Sequence, residues 1–290
     1  MINSVSTLAF ISMALICPAW ANAQGLEQGG KLLLTRGIST VDGLGGGGIV
    51  PWALIAGNET NLGIGATAHA THVSLPDFEL VSYGGAVGLH DRLEVSYTHQ
   101  SFDTGSTGPK LGLTDGYTFE QDVFSAKLRV AGDAIYDQDK WVPQVAVGLS
   151  YKSADDGDLL SALGAESDNG IELYASATKL LLAHSLLVSA TLRYTDANQN
   201  GLLGFGGTTD AGLYPEVSVG YLISKRLIIG GEYRVKPDQL AFAEENDWFD
   251  LFAAYAVNEG ITLSAAYADL GSIATFDDQR GLYLSFQVGF

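Results

Sequence analysis

The chain has one cysteine, Cys17, among 290 residues. A single thiol near the N-terminus leaves no intramolecular disulfide and, once a leader is removed, no thiolate chemistry. Proline is scarce at 7 while glycine reaches 36. Abundant glycine with regular tyrosine suits strands and tight turns, not helices. Basic residues number 15 against 33 acidic ones, a net charge of −18. That balance excludes nucleic acid as a partner, because phosphate binding needs clustered Lys and Arg. Beyond the leader there is no long uncharged apolar run. The most helix-like stretch, KLLLAHSLLVSATL at 179–192, carries Lys179 and is broken by His184 and Ser185. A spanning helix needs roughly 20 apolar residues in succession.

The first residues stand apart. SVSTLAFISMALICPAW is apolar and is followed by Ala21-Asn22-Ala23. An apolar core before a small-x-small triplet reads as a secretory signal, residues 1–23, cleaved after Ala23. Ile16 before Cys17 is not small, which argues against a lipoprotein site. Residues 24–290 then read as a single domain.

What is present in quantity is alternation. The chain ends GLYLSFQVGF, with Leu282, Leu284, Phe286, Val288 and Phe290 on one face and polar residues or glycine on the other. Such period-two segments recur at 62–74, 78–89, 92–102, 117–130, 142–153, 170–181, 185–196, 213–223, 226–236, 248–257, 261–270 and 281–290. Their lengths approach the roughly ten residues of a tilted membrane-crossing strand. The pattern predicts an all-β fold, an antiparallel up-and-down transmembrane barrel of about twelve strands. Two weaker segments, KLLLTRGIST (31–40) and IVPWALIAG (49–57), flank DGLGGGG, which reads as a flexible connection. Residues 24–57 either lie inside the barrel as a luminal plug or add a first strand pair, for fourteen strands in all. Connections alternate short and long, with two exceptions: 75–77 is short where a long loop is due, and 131–141 is long where a short turn is due.

On the strands leaving short turns, Tyr97, Tyr151, Tyr194, Tyr233 and Tyr267 sit toward the far end. On those entering short turns, Tyr221, Tyr255 and finally Phe290 sit at the other. Two aromatic girdles bordering an aliphatic band match a membrane, whose interfaces favour amphipathic rings. The opposite face carries Glu94, Lys127, Arg129, Lys152, Glu172, Arg193, Glu216, Glu232, Arg234 and Asp250, the expected lining of a lumen. Turn geometry predicts Glu216 opposite Arg234 and Glu172 opposite Arg193, favourable ladder pairs.

The regions GGKLLLTRGISTVDGLGGGGIVPWALI, QDVFSAKLRVAGDAIYDQDKWVPQVAVGL, EYRVKPDQL, DWFDLFAAYA and RGLYLSFQVGF are similar to a family of Gram-negative outer-membrane proteins of unknown function. The resemblance spans the mature chain. It implies an outer-membrane barrel and no activity. The last strand also resembles the terminal signal read by the barrel assembly machinery, so that machinery and outer-membrane lipid are the expected partners. Oligomeric state is not legible.

No cofactor or metal is indicated. His69 and His72 would share a face only on a helix, and GLGGGG at 43–48 lacks the continuation of a phosphate loop. One motif points to chemistry. His99 and Ser101 in YTHQSFD lie two apart on the lipid-facing side, as in outer-membrane phospholipases, where His acts as base and Ser as nucleophile. Those enzymes continue with Ser-Asn-Gly-Arg, whereas here Phe102-Asp103-Thr104 follows, and the sequence shows no third member. The function expected is therefore non-enzymatic: a porin-like passive channel for small hydrophilic solutes. A closed structural or surface-interaction barrel is the alternative, and a lipid hydrolase using His99 and Ser101 the remote one.

Overall fold

The computed structural model describes residues 31–290, so the expected signal at 1–23 lies outside the described residues. Two short strands come first, β1 (Ile38–Ser39) and β2 (Gly45–Gly46). Twelve longer ones follow: β3 (Ile64–Ser74), β4 (Glu79–Leu89), β5 (Leu93–Asp103), β6 (Thr118–Ala131), β7 (Gln144–Ala154) and β8 (Asn169–Leu181). The series ends with β9 (Leu186–Thr195), β10 (Gly212–Leu222), β11 (Leu227–Arg234), β12 (Trp248–Ala256), β13 (Ile261–Asp269) and β14 (Arg280–Gly289). Each pairs antiparallel with its sequence neighbour, and β14 returns to β3, closing a twelve-stranded barrel. Closure leaves no sheet edge unpaired, as a strand surrounded by lipid requires.

Burial follows the period-two pattern. Leu149 and Val188 are 43% and 39% exposed on the outside, while their neighbours Ser150 and Ser189 are buried within. The aliphatics thus face away from the cylinder, as the sequence predicts, and no common apolar interior gathers them. The eight girdle aromatics all point outward, Tyr151 the least exposed at 38% and Tyr267 the most at 53%. Tyr97, Phe124 and Tyr151 stand level on adjacent strands through the registers Tyr97↔Phe124 and Phe124↔Tyr151.

The fourteen-strand alternative is not realised. β1 pairs only with β2, through Ile38↔Gly46 and Ser39↔Gly45, and neither joins the barrel wall. Residues 34–57 are instead buried without exception. Both irregular connections also have a role. The 75–78 turn folds Phe78 inward against Phe102, ring centroids 5.1 Å apart, roofing the long-loop end. The 132–143 segment closes the opposite mouth: Gln138 Nε2 donates to the Leu180 carbonyl at 2.7 Å, and Ala134 is wholly buried.

Candidate functional site

The glycine run that looked like a flexible connection is closely packed inside the barrel. A Cβ on Gly46 would meet the Val50 carbonyl oxygen at 2.3 Å, and one on Gly43 would meet Thr98 Oγ1 at 1.9 Å. Gly43 also has φ +80, a left-handed conformation that L side chains rarely adopt. The glycines are there because the backbone of 43–48 lies directly on the barrel wall and doubles back within it. This corrects the linker reading.

Three groups of charged wall side chains hold the segment, beside neutral ones such as Ser82 and Gln100 on the Val41 carbonyl. The first is Glu94, which accepts from the backbone N–H of Gly45 at 3.1 Å and of Ala56 at 2.7 Å. Lys127, opposite Glu94 in the β5–β6 register, pairs with it at 2.9 Å and donates to the carbonyls of Gly45 and Leu54. The second is Glu232, whose carboxylate accepts from Ile49 N–H at 2.8 Å and Val50 N–H at 3.3 Å. Asp250 stands directly opposite Glu232, and both of its oxygens lack a partner among the described residues.

The third group is a ring of six charges. Lys152 pairs with Glu172 at 2.9 Å, Glu172 with Arg193 at 3.1 Å, and Arg193 with Glu216 at 2.5 Å. Glu216 continues to Arg234 at 3.3 Å. Asp42 closes the circuit, 3.9 Å from Arg234 and 3.2 Å from Lys152. The first five come from the wall, the sixth from the inserted segment. All are buried, and their charges cancel. A buried charge is tolerated only when paired and hydrogen-bonded, so the ring is stable as a whole and costly to break anywhere. From the long-loop side, Asn200 reaches into the same ring. It donates to Asp42 at 2.7 Å and accepts from Lys152 and Arg234, each at 2.8 Å.

At the short-turn ends of β8, β9 and β11 the contacts are apolar. Trp52 and Leu54 of the inserted segment join one buried cluster with Leu180, Leu187, Ile228 and Phe252 of the wall. Gln144 ties this level to the backbone through the Ala53 carbonyl at 2.7 Å. Below it, Glu59 pairs with Lys31 at 3.3 Å where the segment leaves the bore. Burial pushes the Glu59 carboxyl up to about 7, against the lowering effect of the Lys31 ammonium.

Nine of the ten residues expected to line the lumen lie buried on the inner wall. Arg129 does not line the bore: it sits at the short-turn rim, bound to Asp91 at 2.6 Å and Asp133 at 3.3 Å. Glu216 faces Arg234 as expected. The second expected pair is offset by two residues, because Tyr174 and not Glu172 faces Arg193. The connection there is a 3-10 turn, Leu182–His184, followed by Ser185 at φ 54, so the hairpin closes at Leu181↔Leu186. Glu172 reaches Arg193 diagonally instead. Asp42 and Asn200 were not foreseen. A signal for Asp42 existed: the wall supplies Lys152, Arg193 and Arg234 against Glu172 and Glu216, one anion short.

On the outer face, His99 Nδ1 lies 2.9 Å from Asp122 Oδ1, directly across the β5–β6 ladder. Asp122 is thus the orienting group that the sequence did not reveal, though Tyr97 also donates to it at 2.9 Å. Ser101 makes no hydrogen bond to the imidazole among the described residues. No cluster of three or more metal-ligating side chains occurs among them either.

The barrel has solved counterparts. A KdgM porin in complex with disordered oligogalacturonate matches with a TM-score of 0.51 at 10% identity, covering 77% of this chain and 99% of the porin. The COG4313 outer membrane channel from Pseudomonas putida F1 matches with a TM-score of 0.50 at 12% identity, over 83% of this chain and 97% of the channel. An active-site mutant of outer membrane phospholipase A from Escherichia coli gives 0.44 at 11% identity, over 77% and 89%. The likeness to the first two establishes the fold alone, an outer-membrane β-barrel. No curated protein matches. A family described as "Protein of unknown function (DUF3034)" matches residues 35–287.

Proposed function

The chain belongs to the DUF3034 family of proteins of unknown function, and we propose that it is an outer-membrane channel that rests closed, with residues 34–57 as its gate. One observation carries this reading: Asp42, on the inserted segment, completes a charge ring otherwise built by the wall. Twelve strands enclose more space than side chains alone fill. A barrel needing only a permanent core could fill it with apolar side chains. Here the bore is filled by a peptide held in large part through ion pairs and backbone hydrogen bonds, which competing polar groups can replace. The long loops face outward and the termini the periplasm, following the usual disposition of such barrels. The protein lies in the outer membrane after export by its N-terminal signal.

Conductance tests the reading. Wild-type protein in planar bilayers is expected to stay closed with rare openings, and Asp42→Ala to raise the open fraction at least tenfold. Steady conductance of the wild type makes the protein an open porin. If heat-modifiable, folded Asp42→Ala never conducts, the barrel is structural.

A further inference from the structure

At the long-loop end, above the charge ring, lies an apolar cavity of about 300 Å³. All five long loops and the 75–78 turn contribute to its wall, with Phe78, Leu113, Leu163, Leu203, Phe242 and Ile273 each coming from a different one. Loops facing water have no reason to send large apolar side chains to a common point. Ligand pockets combine such a lining with a few placed polar groups. Trp248 supplies one. It is 6% exposed, lines the cavity, and its indole N–H has no hydrogen-bond partner among the described residues. A buried orphan donor favours a ligand that brings an acceptor.

Charge narrows the class further. The one cationic side chain on the wall, Lys110, places its ammonium 5.6 Å from the Phe276 ring centroid. Around the mouth the 155–168 loop alone carries Asp155, Asp156, Asp158, Glu166 and Asp168. That field repels anions, and the apolar wall offers a cation no counter-charge. Size follows from volume: a 150 Å³ apolar cavity accepts benzene, so twice that holds roughly ten to twelve non-hydrogen atoms.

We propose that this cavity captures an uncharged, largely apolar solute of that size bearing one acceptor oxygen, of the aromatic-alcohol kind. Its effect on the gate, though not its binding, rests on the channel reading. Gln199 lines the cavity, and the next residue, Asn200, is the one bonded to Asp42, Lys152 and Arg234. An occupant pressing on Gln199 is one peptide bond from the ring.

Calorimetric titration of the full-length protein in lipid nanodiscs, corrected for empty discs, provides the test with 2-naphthol, naphthalene and 2-naphthoate as probes. Saturable binding of 2-naphthol at one site is expected, with 2-naphthoate at least tenfold weaker. Leu113→Trp, which fills the cavity, abolishes it. Trp248→Phe weakens 2-naphthol about threefold to tenfold, the share of one neutral hydrogen bond, and leaves naphthalene unchanged; retained naphthalene binding shows that this variant is folded. Absent saturation, full binding to Leu113→Trp, or naphthoate binding as tightly as naphthol overturns the proposal. Binding without any change in conductance sinks the gate and leaves the site standing; conductance without binding does the reverse.

Discussion

Glu216 and Arg234 face each other across β10 and β11, and their side chains remain within 3.3 Å inside the bore. The same carboxylate also holds Arg193 at 2.5 Å. Glu216 therefore bridges two buried guanidinium groups at once. Replacing it by Gln keeps shape and acceptor but leaves the ring with three cations and two anions. Removing one partner of a buried ion pair costs about 3–5 kcal/mol. Glu216→Gln should lower the denaturant midpoint of the purified barrel by a corresponding amount, and Glu216→Gln/Arg234→Gln should recover part of the loss. A double-mutant cycle with no coupling energy contradicts this account.

Gly46 tests the seat of the inserted segment. The obstacle to a Cβ there is backbone, the Val50 carbonyl at 2.3 Å and Pro51 Cα at 2.8 Å, so no side-chain rotation relieves it. Overpacking of this kind costs about 1–3 kcal/mol. The strain falls on the segment and not on the barrel ladder. Gly46→Ala should therefore expose Arg36, 5% accessible in the native protein, to trypsin while the barrel stays heat-modifiable. Cleavage after Arg36 at the wild-type rate refutes the close packing.

The barrel was legible because each strand alternates strictly along most of its length, and lipid imposes the same alternation that the sequence displays. Twelve strands came out within a few residues of their ends. What escaped was the interior of the short-turn half. There Leu180, Leu187, Ile228 and Phe252 point inward although apolar, so both faces of those strand ends are greasy and the period disappears. The gate escaped for another reason. Asp42 sits before a glycine run, and glycine serves equally for flexible linkage and for a backbone pressed on a wall. Asp122 was hidden because a long loop joins β5 to β6, and only short turns set register by themselves.

Glu59 gives the exit of the segment a pH dependence. Its carboxyl is raised from 4.5 to about 7, chiefly by burial, with the Lys31 ammonium opposing and Asp91 adding to the rise. The folded protein thus holds this proton more tightly than the unfolded chain. The associated stability is complete below about 4.5 and is lost as pH rises through about 7. The unfolding midpoint of the wild type, measured against that of Glu59→Gln, should fall between pH 5 and pH 8. A difference between the two that stays constant over this range excludes Glu59 as the titrating group.

His99 and Asp122 form a dyad on the outer face of β5 and β6, directly across the ladder from each other. If the dyad were catalytic, Nδ1–H would donate to Asp122 and leave Nε2 as the base for Ser101. The structure offers a simpler use. Asp122 takes the Tyr97 hydroxyl as well as the imidazole, and Tyr83 packs on the His99 ring with centroids 5.3 Å apart. This is a polar cluster that anchors one aromatic girdle at the membrane interface. His99→Ala should leave phospholipid turnover by the purified protein at background, like the wild type, while lowering the thermal midpoint through loss of the Asp122 and Tyr83 contacts. Ester hydrolysis by the wild type that disappears in both His99→Ala and Ser101→Ala would make the barrel a lipid hydrolase.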